Sequence, residues 1–226
     1  MTARNILSWS PSAIVFDCDG TLMDTERHWQ EARNITFRLF GLKPPAGFAD
    51  RAKGVHYTEC GALMAEETGK PDLVDDLADT LLSTFSALVD QDPVTMPGAA
   101  ALVRSAARHL PLAVASNCPR EMVESCLARA GLLSSFSHVV VAGEGVRPKP
   151  EPDVYSLAVR LCGVPPEDAL AVEDSLTGME SARRAGLRVI GLGPCPPGQE
   201  AEQADLWVTS LADRELVWWA RSRIGA

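Results

Sequence analysis

The chain has 226 residues, 46% of them apolar, and carries 30 acidic against 21 basic side chains for a net charge of −9. That length and apolar share can bury a sizeable core, which excludes both a disordered chain and a small domain dependent on staples. The basic residues are scattered and form no run, which argues against DNA or RNA as a partner, and no stretch approaches the roughly 18 apolar residues of a membrane helix.

In chain order, "MTARNILSWSPS" has neither a long apolar core nor a small-residue cleavage site, so it does not read as a signal peptide. The first apolar run, 13–16, reads as a buried strand, and "DCDGTLMDTE" follows it directly. Helical patterns come next at 26–40, 57–68 and 72–89, separated by "GLKPPAG" and "TGKPD", with no convincing strand among them. From 98 onward the rhythm alternates. Strands are expected at 112–115, 138–142, 169–172, 187–192 and, more weakly, 206–208. Helices are expected at 98–109, 120–132, 152–164 and 175–187, with a terminal helix in "ELVWWARSRIGA". Pro152 at the start and Gly163 at the end of the third pattern follow the usual helix asymmetry. The expected fold is α/β: a Rossmann-like, doubly wound parallel sheet formed by residues 1–22 and 96–226, with a small α-helical cap inserted at 23–95.

The six cysteines, Cys18, Cys60, Cys118, Cys126, Cys162 and Cys195, form no CxxC pair and no repeated spacing, so they are expected to be reduced thiols of a cytoplasmic protein.

Ligands of open parallel sheets bind beyond the carboxyl ends of the strands. Four successive strand ends deliver polar residues there: Asp17 and Asp19 after the first, Ser116 and Asn117 after the second, Lys149 beyond the third and Glu173 with Asp174 after the fourth. Taken singly, each has an ordinary explanation. "DGT" is a common turn, Ser116-Asn117 could cap a helix, Lys149 could be a solvated loop residue, and Glu173-Asp174 could be a charged helix start. Their conjunction in this order argues for one site. Several carboxylates together call for a cation, and hard oxygen ligands suit Mg²⁺. A hydroxyl and a lysine suit phosphoryl oxygens, and a free carboxylate is a nucleophile for phosphorus. In extended backbone Asp17 and Asp19 share a face, where two carboxyls in different surroundings can divide the labour.

"DCDGTLMDTE", "ASNC", "RPKPEPDVY" and "AVEDSLTGMESARRAGL" resemble the four motifs of the haloacid dehalogenase superfamily. The branch they are most similar to holds phosphatases and β-phosphoglucomutase-like enzymes with a helical cap of the C1 type. The resemblance implies that Asp17 is the nucleophile and forms an aspartyl-phosphate. Asp19 would protonate the leaving alcohol and then activate water. Mg²⁺ would be held by Asp17, the Asp19 carbonyl and Asp174, with Glu173 contributing directly or through water. Ser116 and Lys149 would bind phosphoryl oxygens, with Asn117 as a further contact. Asp19 argues against dehalogenation, because the founding dehalogenases lack this second acid. In the cap, "RAKGVHYTEC" resembles the substrate-facing loop of sugar-phosphate enzymes, so Lys53, Gly54 and His56 are candidate substrate contacts. The mutases carry an Arg and a His where this chain has Tyr57 and Trp29, although His28 is adjacent. The reading is therefore a Mg²⁺-dependent phosphatase, a monomer acting on a small phosphorylated metabolite, with a phosphosugar mutase as the alternative.

Overall fold

The structure, a computed structural model, describes residues 6–92, 94–143 and 145–225. Among them, the strands β1 (Ala13–Phe16), β2 (Leu112–Ser116), β3 (His138–Val141), β4 (Ala169–Glu173), β5 (Arg188–Leu192) and β6 (Leu206–Val208) form one parallel sheet in the order β3-β2-β1-β4-β5-β6. The winding reverses at β1, which pairs with β2 on one side and β4 on the other. That reversal opens the crevice where such sheets hold ligands, and the acids of "DCDGT" begin there. Two strands run one residue past expectation: β2 takes in Ser116 and β4 takes in Glu173.

The strands are short apolar runs because both faces are covered. Ile14, Phe16, Leu112, Val114, Leu170 and Val172 belong to one core cluster. The alternating residues Val15, Ala113, Ala115, Ala169 and Ala171 belong to another, and their small size lets α7 (Asp153–Cys162) and α8 (Leu176–Arg184) lie close. Gly163 ends α7 with φ +72°, as its place in the sequence implied. The sheet is flanked in addition by α5 (Ala99–Ala106), α6 (Arg120–Arg129) and α9 (Arg214–Arg223). In α9, Trp219 is buried and its indole donates to the Trp9 carbonyl at 2.9 Å, while Trp218 stays exposed.

Between β1 and α5 lie α1 (Glu26–Leu39), α2 (Phe48–Arg51), α3 (Tyr57–Glu67) and α4 (Val74–Gln91). The one-turn α2 was not anticipated; a four-residue helix is too short to show a period, and it is held by Phe48 set edge-on against Phe37. Helix α4 packs on both α1 and α3, with Gly61 letting α3 approach the Ala78 backbone and Trp29 stacked on Phe85 at 3.6 Å. The two chain crossings into this helical block pair with each other: Met23 bridges Thr95, and the Asp24 and Met96 amides donate to Val94 and Leu22. All six cysteines are free. No helix among the described residues is long and apolar enough to cross a membrane.

Beyond the second crossing, Gly98 holds φ +87°, and a Cβ there would overlap the backbone of Leu211 and Ala212. Gly98→Ala therefore combines backbone strain with a clash against main chain that cannot rotate away. A loss of roughly 2 kcal/mol or more is expected, read as a lower urea midpoint at unchanged slope.

Candidate active site

The crevice beyond β1 gathers the residues singled out at the strand ends. Lys149 reaches in from the loop after β3 and is only 2% exposed. Its ammonium donates to Asp17 Oδ1 and to Glu173 Oε1, each at 2.6 Å. Burial lowers the Lys149 pKa, but Asp17 and Glu173 more than offset this, so its net shift is upward and the side chain stays charged. Burial pushes the Asp17 carboxyl well up; Lys149 opposes this, while Glu173, Asp174 and Asp19 add repulsion.

Glu173 is fully buried and its oxygens are occupied. Oε1 also accepts from the Tyr155 hydroxyl at 3.1 Å, and Oε2 accepts from the Asp174 amide, the Ser175 amide and the Ser175 hydroxyl, each at 3.0 Å. Gly178, in the first turn of α8, makes room for it, since a Cβ there would overlap the carboxylate. Of the two roles that the sequence left open, this geometry favours an indirect one: Glu173 is saturated by donors and fixes Lys149 and the Asp174 loop.

Asp19 sits beside the Thr25 hydroxyl, which donates to its Oδ1 at 2.6 Å, and the Ser116 hydroxyl lies 3.4 Å from its Oδ2. Its pKa is raised by burial, opposed by the Thr25 hydroxyl and the Trp29 indole. Asn117 is spent on the loop that carries Lys149. Its Oδ1 accepts the Lys149 amide at 2.8 Å, and its Nδ2 donates to the Lys149 carbonyl at 3.2 Å and the Gly54 carbonyl at 3.3 Å.

The helical block closes the crevice. Lys53 forms an ion pair with Asp174 Oδ2 at 2.8 Å and also donates to the Asp174 carbonyl at 3.1 Å. Burial, opposed by Lys53 and reinforced by Glu173, pushes the Asp174 carboxyl up to about 6. Gly54, at φ +71°, lies so close to Ser175 that a Cβ would sit 2.6 Å from its hydroxyl. His56 is not brought here. It caps α3 by accepting the Thr58 amide, and it lines a separate groove. Glu26, Trp29 and Arg33, at i, i+3 and i+7 of α1, and Tyr57 from α3 line the cleft instead. Sequence reading passed over Glu26 and Arg33; their helical spacing with Trp29 was the available signal. The enclosed space is about 40 Å³, room for a few waters and far below that of a drug-sized ligand.

The donor set suits a hard divalent cation. Carboxylate oxygens of Asp17, Glu173 and Asp174 lie within 4.8 Å of one another, and Asp17 Oδ2 is buried without any hydrogen-bond partner. An orphan carboxylate oxygen beside a second carboxylate is what such an ion would satisfy.

The model for haloacid dehalogenase-like hydrolases matches residues 14–192. The chain belongs to this family. Validoxylamine A 7'-phosphate phosphatase from Streptomyces hygroscopicus subsp. limoneus is 30% identical, the match covering 88% of this chain and 93% of that protein. A bifunctional riboflavin kinase/FMN phosphatase from Arabidopsis thaliana is 29% identical over 97% of this chain, which spans only 58% of that longer protein. The crystal structure of an Asp-to-Asn mutant of CbbY from Rhodobacter sphaeroides with xylulose-1,5-bisphosphate superposes with a TM-score of 0.74 at 29% identity, covering 90% of this chain and 96% of that one. Within this family fold, the cluster around Lys149 is the electrostatic centre. Lys149→Met should leave Asp17 and Glu173 facing each other without a cation. Breaking a buried pair in this way costs about 3–5 kcal/mol, so a fall of that size in chemical denaturation is expected, together with loss of turnover.

Proposed function

We propose that the chain cleaves phosphomonoesters of small metabolites by transferring the phosphoryl group first to Asp17 and then to water. It is a phosphoric monoester hydrolase of the haloacid dehalogenase-like family. The observation that carries the two-step reading is the division of labour between two carboxyls. Asp17 is pinned by Lys149 with one oxygen left orphaned, while Asp19 rests on the Thr25 and Ser116 hydroxyls with, among the described residues, no lysine bound to it.

In the proposed first step a bond forms between Asp17 Oδ1 and phosphorus as the bond from phosphorus to the leaving oxygen breaks. The Asp19 carboxyl gives its proton to that oxygen, so a neutral alcohol departs. Lys149 and the Ser116 hydroxyl hold phosphoryl oxygens and offset the charge developing on them. In the second step Asp19, now a carboxylate, takes a proton from water. The water oxygen attacks phosphorus, the bond to Asp17 breaks, and inorganic phosphate leaves with Asp19 protonated again. Asp17 Oδ2 and Asp174 are the residues that would hold Mg²⁺, which when bound offsets the repulsion between the carboxylates and the phosphoryl dianion. Asn117 acts in this reading as a positioning residue for the Lys149 loop.

We assign residues 23–95 to a cap that opens to admit substrate and closes to exclude water, over a core of 1–22 and 96–226. The small enclosed volume and the Lys53 to Asp174 and Asn117 to Gly54 contacts support a closed arrangement. The mutase alternative is the less supported one. Tyr57 and Trp29 line the cleft in place of the Arg and His of the mutases, and His28 does not rescue it, since it is not among the cleft residues.

Asp17→Asn should retain the fold and lose release of phosphate from an aryl phosphate in Mg²⁺ by a factor of about 10³ or more; persistent turnover would sink the nucleophile assignment. A chelator should stop the wild-type reaction, and added Mg²⁺ should restore it. Activity unchanged by the chelator would remove the metal from the mechanism.

A further inference from the structure

The cations in and beside the cleft are held by carboxylates. Lys149 is shared by Asp17 and Glu173, Lys53 is paired with Asp174, and Arg33 is paired with Glu26, Nη2 to Oε1, at 2.6 Å. Asp19 has hydroxyl and indole neighbours and no cation in contact. Among the described residues, therefore, no cation at the cleft is free of a carboxylate. Nothing is left over to meet a second anionic group on the substrate.

The pair from α1 is also unusual in its placement. The Arg33 side chain is 6% exposed, its Nη1 donates to the Ala52 carbonyl at 3.3 Å, and its Nε is buried with no partner. Glu26, by contrast, is 30% exposed on the cleft side. It is close enough to Asp19 and Asp174 to raise the pKa of each. The pair thus lines the cleft that holds Asp19, offering carboxylate acceptors and guanidinium donors from a neutral unit. Trp29, Tyr57, Val55 and Ala52 supply apolar surface around it.

Resting on the phosphatase reading, we infer that Glu26 and Arg33 together select phosphomonoesters whose leaving group is an uncharged, hydroxyl-bearing alcohol, and discriminate against carboxylates and second phosphates on the same substrate. A neutral donor and acceptor pair can exchange its internal hydrogen bonds for those of hydroxyls. A carboxylate would instead meet the like charge of Glu26, a juxtaposition that disfavours the wrong partner.

The test compares matched substrates on the Mg²⁺-loaded full chain: glucose 6-phosphate against 6-phosphogluconate and glucose 1,6-bisphosphate, and glycerol 3-phosphate against 3-phosphoglycerate. The neutral-alcohol member of each set should have kcat/KM higher by at least about tenfold. Glu26→Gln leaves Arg33 charged without its carboxylate, so the ratio of 6-phosphogluconate to glucose 6-phosphate should rise by about tenfold, chiefly through KM. Equal or better use of the carboxylate and bisphosphate substrates by the wild type overturns the inference, whether or not the variant folds. A folded Glu26→Gln enzyme with an unmoved ratio overturns the assignment to this pair. An aryl phosphate run in parallel separates the levels: if it is not hydrolysed at all, the phosphatase reading itself has failed.

Discussion

One buried ammonium organises the site. Lys149 stands between Asp17 and Glu173 at 2.6 Å from each, in surroundings where an unpaired charge would not survive. Two acids this close to each other and to Asp174 would take up protons without it. Glu173 is the rigid anchor: five donors and the space left by Gly178 fix its carboxylate. Lys149 is fixed by that anchor, and Asn117 holds its backbone. Asp17 is then held by Lys149 at one oxygen, with the other left without a partner. The sheet explains why these residues meet. They come from the ends of β1 and β4 and from the loop after β3, around the place where the winding reverses.

The helical block adds a second layer of charge matching. Lys53 answers Asp174, and Arg33 answers Glu26. The block is joined to the sheet through paired crossings at Met23 and Thr95. Polar contacts cross from it to the core at Lys53 with Asp174 and at Asn117 with the Gly54 carbonyl. In the proposed reaction the helical block would read the shape and charge of the leaving group, while the sheet edge would read the phosphoryl group.

Much of this was legible from residues alone. The apolar runs located each of the strands because parallel strands covered on both faces leave little room for polar residues. The acids, Ser116, Lys149 and the Glu173-Asp174 pair could be placed on one edge because strand ends in such a sheet share an edge. The details that depend on side-chain direction were not legible. His56 follows Gly54 by two residues, yet its ring turns to cap α3 and faces another groove. Asn117 looked free for ligand, but its amide closes on the Lys149 backbone. Arg33 gave no sign in isolation; its burial against Glu26 requires the packing of α1 on α4 and the return of the chain at Ala52.

The central claim is a covalent phosphoryl group on Asp17, and trapping it is the most direct test. The Asp19→Asn variant keeps the Asp17 carboxylate but cannot activate water, so mixing it with Mg²⁺ and an activated aryl phosphate should accumulate the acyl phosphate. Acid quenching and peptide mass analysis should find the added phosphate on the peptide containing Asp17, and it should be lost on treatment with hydroxylamine. If the enzyme releases phosphate in single turnover while Asp17 stays unmodified throughout, water attacks the substrate directly and the account is wrong.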